Sequence, residues 1–141
     1  MEKEIQIGGG ERAMKESFLC YESGGSLFLI PLNWVFHILE APAEGQDYVV
    51  YEERRIPVQD FCLRWGINPK EKSRYAVLLR DGERTGGFLA ERIQGICLLE
   101  TERFKALPQE VLREENAFLQ AAARMEDTES FAFLVDCKEL I

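Results

Sequence analysis

The sequence predicts an all-β barrel or sandwich. Short apolar runs recur at roughly ten-residue spacing between turn-forming residues, several of them are rich in β-branched and aromatic side chains, and no strand–helix–strand alternation is visible. The chain of 141 residues has the length of one domain, in which roughly two thirds of the unfolded surface can be buried. Its 46% hydrophobic and 30% charged residues are ordinary for a folded chain and exclude a disordered one.

Residues 1–16, with Gly8-Gly9-Gly10 among them, lack periodicity and read as a flexible tail, leaving 17–141 as the folded domain. The run "SFLCYES" begins the fold near Phe18, and Gly24-Gly25 supplies the positive φ of a tight hairpin into "SLFLIPL". That second strand is apolar at both parities, Leu27 and Leu29 against Phe28 and Ile30, so both its faces must be covered. "NWVFHILEAP" mixes helical spacing with strand-forming residues, and the nearby Pro31 and Pro42 favour a turn followed by a short strand.

In "YVVYEERRIPVQDF" two short strands, Tyr48 to Tyr51 and Arg55 to Val58, flank a charged turn. Asp60 can cap a short helix, "FCLRWG", ended by Gly66 in the left-handed conformation. Tyr75 to Leu79, Asp81-Gly82 and a long following strand form the clearest hairpin. The apolar parity of that following strand changes between Phe88 and Ala90 on one side and Ile93, Cys97 and Leu99 on the other, which predicts a bulge at Glu91-Arg92. Propensity favours helix across Gln109 to Arg124, and "SFAFLVDCKEL" alternates as a closing strand.

A net charge of -8 opposes nucleic acid and anionic membrane, since neither meets a basic patch here. The N-terminus has neither the basic nor the apolar part of a secretory signal, so a cytoplasmic protein is expected. The longest apolar stretch, Leu27 to Leu39, is interrupted by Pro31, Asn33 and His37 and falls short of the ~20 residues of a membrane span, so no direct membrane insertion is expected.

Cys20, Cys62, Cys97 and Cys137 are widely spaced and His37 is the sole histidine, a pattern without a zinc site. The cysteines read as small buried hydrophobes in a reducing compartment. No G-x-S-x-G elbow, P-loop or H-E-x-x-H occurs, and "REEN" and "EDTE" read as solvated faces. The residues therefore point to binding through a surface, with no catalytic residue, metal or cofactor assigned.

Four segments, in order, resemble the CheW-like domain family of chemotaxis coupling proteins. "FLCYESGGSLFLIPLNWVFHI" is similar to the opening strands, "RRIPVQDFCLRWGI" to a Pro-Val-x-Asp strand running into a helix, "GGFLAERIQGI" to a strand with an acidic position at Glu91, and "FAFLVDCKEL" to the closing strand. The resemblance implies two small five-stranded β-barrels sharing a core, with short helices, and turns Phe118 to Met125 from helix to strand.

It also implies a non-enzymatic adaptor that scaffolds a CheA-type histidine kinase, through its regulatory domain, with the cytoplasmic tip of a methyl-accepting chemoreceptor. Carried over by position, Val35, His37 and Ile38 would lie at a groove between the barrels, with Ala90 and Ile93 as neighbours. The turn Glu52, Glu53 and Arg54 joins the partner-binding set through a departure. Glu52 stands where the family places an arginine and Glu53 where it places a glycine. The loop from Glu40 to Asp47 is also shorter than the family's usual connection. Two further readings stay open: a divergent scaffold for another signalling kinase, and a small β-barrel ligand-binding protein or enzyme.

Overall fold

The computed structural model describes residues 14–107, 118–125 and 130–141. The expected tail lies outside the described residues except for its last three, and the helix-favouring stretch 109–117 lies outside them as well. Strands β1 (Lys15–Ser23) and β2 (Ser26–Pro31) are joined by Gly24 and Gly25, both at positive φ (62° and 84°). A Cβ on Gly24 would collide with Ile67, so this turn needs glycine for space as well as for conformation. A 3₁₀ turn, Leu32–Trp34, leads into β3 (Val35–Glu40), the expected turn and short strand.

Next come β4 (Tyr48–Tyr51) and β5 (Arg54–Asp60), the second longer at both ends than its apolar residues indicate. Helix α1 (Phe61–Trp65) follows at once. The Asp60 side chain accepts from the Leu63 N–H at 3.1 Å and Gly66 ends the helix at φ 68°, as the sequence predicts. The hairpin β6 (Tyr75–Asp81) and β7 (Arg84–Ala90) runs through Glu91 into β8 (Arg92–Glu100). The described remainder comprises a 3₁₀ turn (Thr101–Arg103), β9 (Phe104–Lys105), β10 (Leu119–Arg124) and β11 (Phe131–Val135), and the expected closing strand stops at Val135, where Asp136 caps a 3₁₀ turn, Cys137–Leu140. The strand at Leu119–Arg124 overrides its helical propensity because it pairs with β11.

Two curled sheets result, with orders β9-β10-β11-β2-β1-β8 and β3-β6-β7-β5-β4. The first holds a sixth, two-residue strand, β9, beside the five the resemblance implies. The change of parity in the long strand is the crossing from the second sheet to the first: β7 pairs with β6 and β5, whereas β8 pairs with β1. The bulge expected at Glu91-Arg92 is therefore a sheet change, and the ladder's register shift falls farther on, opposite Cys20 and Tyr21, near Gly95 (φ 129°).

Strand parity divides the core into three. Phe18, Cys20, Leu29 and Ala132 fill the inside of the first sheet, and Val49, Ile56, Ala76 and Leu78 that of the second. The opposite parity of the same strands, Leu19, Tyr21, Phe28, Ile30, Val77 and Leu79, packs between the sheets with Phe61, Phe88 and Phe118. Both faces of β2 are covered, as its double apolar parity demands. The shared layer is aromatic: Tyr21 lies 4.7 Å from Phe88 and Phe28 4.8 Å from Phe61 by ring centroids, while Trp65 stacks on Phe118 at 4.1 Å. Such pairs add about 0.5–1.5 kcal/mol each beyond the area they bury.

Candidate partner-binding surface

Two edge strands bound the shared core, β8 in the first sheet and β3 in the second. Val35 and Ile38 on β3 and Ile93 on β8 are half-buried and pack against the shared aromatic layer, together with Leu32 and Trp34 of the 3₁₀ turn. Beyond Ile93 the same face of β8 continues without cover. Ile96 pairs with the core residue Leu19 and Leu98 with Ser17, yet Ile96 is 66% and Leu98 59% exposed. A depression of about 540 Å³, lined by Glu16, Ser17, Leu32 and Asn33, lies between the start of β1 and the 3₁₀ turn. The result is an apolar strip with polar neighbours, the composition of a protein-binding surface.

His37 faces elsewhere. The ladder between β3 and β6 shifts register between Val35 and His37, and the exposed imidazole lies 4.6 Å from the Tyr51 ring. Phe36 also meets Tyr51, at 5.7 Å, so the two edge strands of the second sheet are joined by rings. His37 therefore belongs with the β4–β5 hairpin tip. There Tyr51 pairs with Arg54 across a two-residue connection whose members, Glu52 and Glu53, have φ of 51° and 66° and are exposed.

The structure thus divides the sequence-predicted set into residues packed against the shared layer (Val35, Ile38, Ile93) and a tip (His37, Glu52, Glu53, Arg54). Ala90 drops out: it is 0% exposed within the shared core and has no surface to offer a partner. Among the described residues no group of three or more His, Cys, Asp or Glu could hold a metal ion. All four thiols are free, and burial pushes Cys20 up to about 11 and Cys62 and Cys137 to about 12, which leaves them weak nucleophiles at neutral pH. Among the described residues no helix is long and apolar enough to cross a membrane.

Comparison with protein families matches the CheW-like domain over residues 17–141, nearly the whole described fold. The chain belongs to the CheW-like domain family. Among solved structures, the scaffolding protein TtCheW from Thermoanaerobacter tengcongensis is similar, with a TM-score of 0.70 over 86% of this chain and 89% of that one. The two share 16% sequence identity, so the likeness is one of fold. No curated protein matches the chain.

Within this CheW-like domain, Ile96 and Leu98 are the surface residues that sequence reasoning missed. Their signal is present: Ile96 to Leu99 is apolar at both parities, and one parity must face outward on an edge strand. At the tip, Glu53 has a φ of 66°, a conformation that glycine adopts without steric cost.

Proposed function

We propose that this CheW-like domain is a non-enzymatic cytoplasmic scaffold that joins a CheA-type histidine kinase to chemoreceptors. The observation that carries the reading is the run of apolar residues along one face of β8, from the half-buried Ile93 to the uncovered Ile96 and Leu98. A helix about 10 Å wide, presenting an apolar stripe, would cover such a strip in the helix-in-groove mode. The helical hairpin at a receptor's cytoplasmic tip has that form. The regulatory domain of the kinase would then take a separate face of one barrel.

A second reading concerns which kinase and receptor. Two carboxylates stand at the hairpin tip where the resembled family has an arginine and a glycine, and a reversed charge at a contact selects a partner of opposite charge. The Glu52–Glu53 tip thus favours a partner with a basic surface. Calorimetric titration of the full chain with a CheA-type regulatory domain and with a receptor-tip fragment from the same organism tests both readings. Binding of either supports the scaffold. Absence of both at high micromolar concentration removes the chemotaxis assignment and leaves the fold untouched.

A further inference from the structure

The crossing between the sheets is made by one residue with a buried carboxyl side chain. Glu91, 1% exposed, lies between β7 and β8. Its carboxylate Oε2 accepts from the backbone N–H of Lys70 at 3.2 Å and from the Cys62 thiol of α1 at 3.5 Å. Its own N–H is directed at the Glu22 carbonyl, 3.2 Å away, and at Oγ of buried Ser23, 3.4 Å away, both at the end of β1. One residue thus ties the first sheet to the helix and loop that flank the second. Two residues farther on is Ile93, half-buried at the start of the apolar strip.

A buried polar group must find hydrogen-bond partners, and the Glu91 oxygen finds two, one on α1 and one on the Lys70 loop. An apolar side chain of similar volume would serve the packing better. What only an acceptor can do here is hold α1 and the Lys70 loop against the crossing in one arrangement.

We propose that Glu91 is the positioning residue of the apolar strip, fixing the angle between the two sheets and hence the spacing of Ile93 and Ile96 from Val35 and Ile38. The proposal rests on the partner-binding reading of that strip. Glu91→Gln keeps an acceptor for the Lys70 N–H, whereas Glu91→Met removes it. Cys62→Ala and Cys62→Ser make the same contrast at the second tie.

Methyl NMR of the partner-free full chain, with amide exchange at Lys70, reads the joint directly. In Glu91→Met the methyl signals of Val35, Ile38, Ile93 and Ile96 shift, those of Val49 and Ile56 inside the second sheet stay, and the Lys70 amide loses protection. Calorimetry with a receptor-tip hairpin then shows affinity lowered about tenfold or more by Glu91→Met and nearly restored in Glu91→Gln. If Glu91→Met does not fold, Cys62→Ala and Cys62→Ser carry the same comparison. The proposal is overturned if the folded disrupting variant leaves the Val35 and Ile38 methyl signals in place, or if it binds as wild type does. Should the wild-type chain bind no hairpin, the partner reading fails on its own and the methyl signals alone decide the joint.

Discussion

Glu52 and Glu53 stand side by side in the left-handed region, φ 51° and 66°, in a two-residue connection of the kind that hairpins usually build from Asn-Gly. An L-residue with a side chain pays roughly 1–2 kcal/mol for that conformation. The ladder on either side enforces it, since Tyr51 and Arg54 must still pair.

Glu53→Gly is therefore expected to raise stability. Relief of the backbone strain is offset in part by the ~0.5–1 kcal/mol of extra freedom that glycine gives the unfolded chain, for a net gain of about 0.5–1 kcal/mol. Urea unfolding followed by circular dichroism measures it, and a lower midpoint would contradict the placement of the turn.

Glu52→Arg keeps the same backbone demand and changes the charge of an exposed side chain. Its stability should stay within about ±0.5 kcal/mol, while its preference between basic and acidic partner surfaces reverses. A large loss in melting temperature would show that the tip is more than a solvated turn.

Tyr21 is 0% exposed, and among the described residues its hydroxyl has no hydrogen-bond partner. Tyr21→Phe preserves the ring contacts with Phe28 and Phe88 at 5.6 and 4.7 Å and removes the unpaired group. A buried unsatisfied polar group costs about 1–3 kcal/mol, so the variant should be more stable by roughly 1 kcal/mol. Destabilisation of that size in a thermal melt would mean that the hydroxyl is bonded after all.

The buried thiols set an alkaline limit. Cys62 and Cys137 are pushed from 9.0 to about 12, chiefly by burial, with the Glu91 hydrogen bond adding to the rise at Cys62 and the Asp136 charge to that at Cys137. Between those values the unfolded chain has lost protons that the folded chain still holds, so stability falls as pH rises through that window and is unaffected by these groups below it. Unfolding midpoints taken from pH 8 upward should decline beyond about 9, and the decline should shrink in Cys62→Ala. A flat profile would place these thiols in contact with solvent.

Most of the architecture was legible because strand parity records burial. The double apolar parity of Leu27 to Ile30 announces a strand covered on both faces, and Asp60 and Gly66 mark the ends of α1. The crossing at Glu91 left the same trace as a bulge, a flip of parity, since sequence cannot tell a kink within one sheet from a step into another. Leu119–Arg124 favours helix by its Leu, Gln, Ala and Arg content, because propensity takes no account of the pairing with β11 that makes it a strand. At the surface, His37 and Ile38 face different ways as successive strand residues do, while the register shift between Val35 and His37 lets Val35 and Ile38, three apart, both pack on the core. Ile96 and Leu98 escaped notice since an outward apolar residue looks like core until the edge of the sheet is known.

The uncovered strip on β8 is the surface proposed to receive a helical partner. Ile96→Glu is the direct test: the residue is 66% exposed, so the substitution should leave the melting temperature nearly unchanged while a charge enters the centre of the contact. Calorimetric titration of wild type and Ile96→Glu with a receptor-tip hairpin should show binding by the first and a loss of about tenfold or more in the second. Equal affinity of the two proteins would contradict the account.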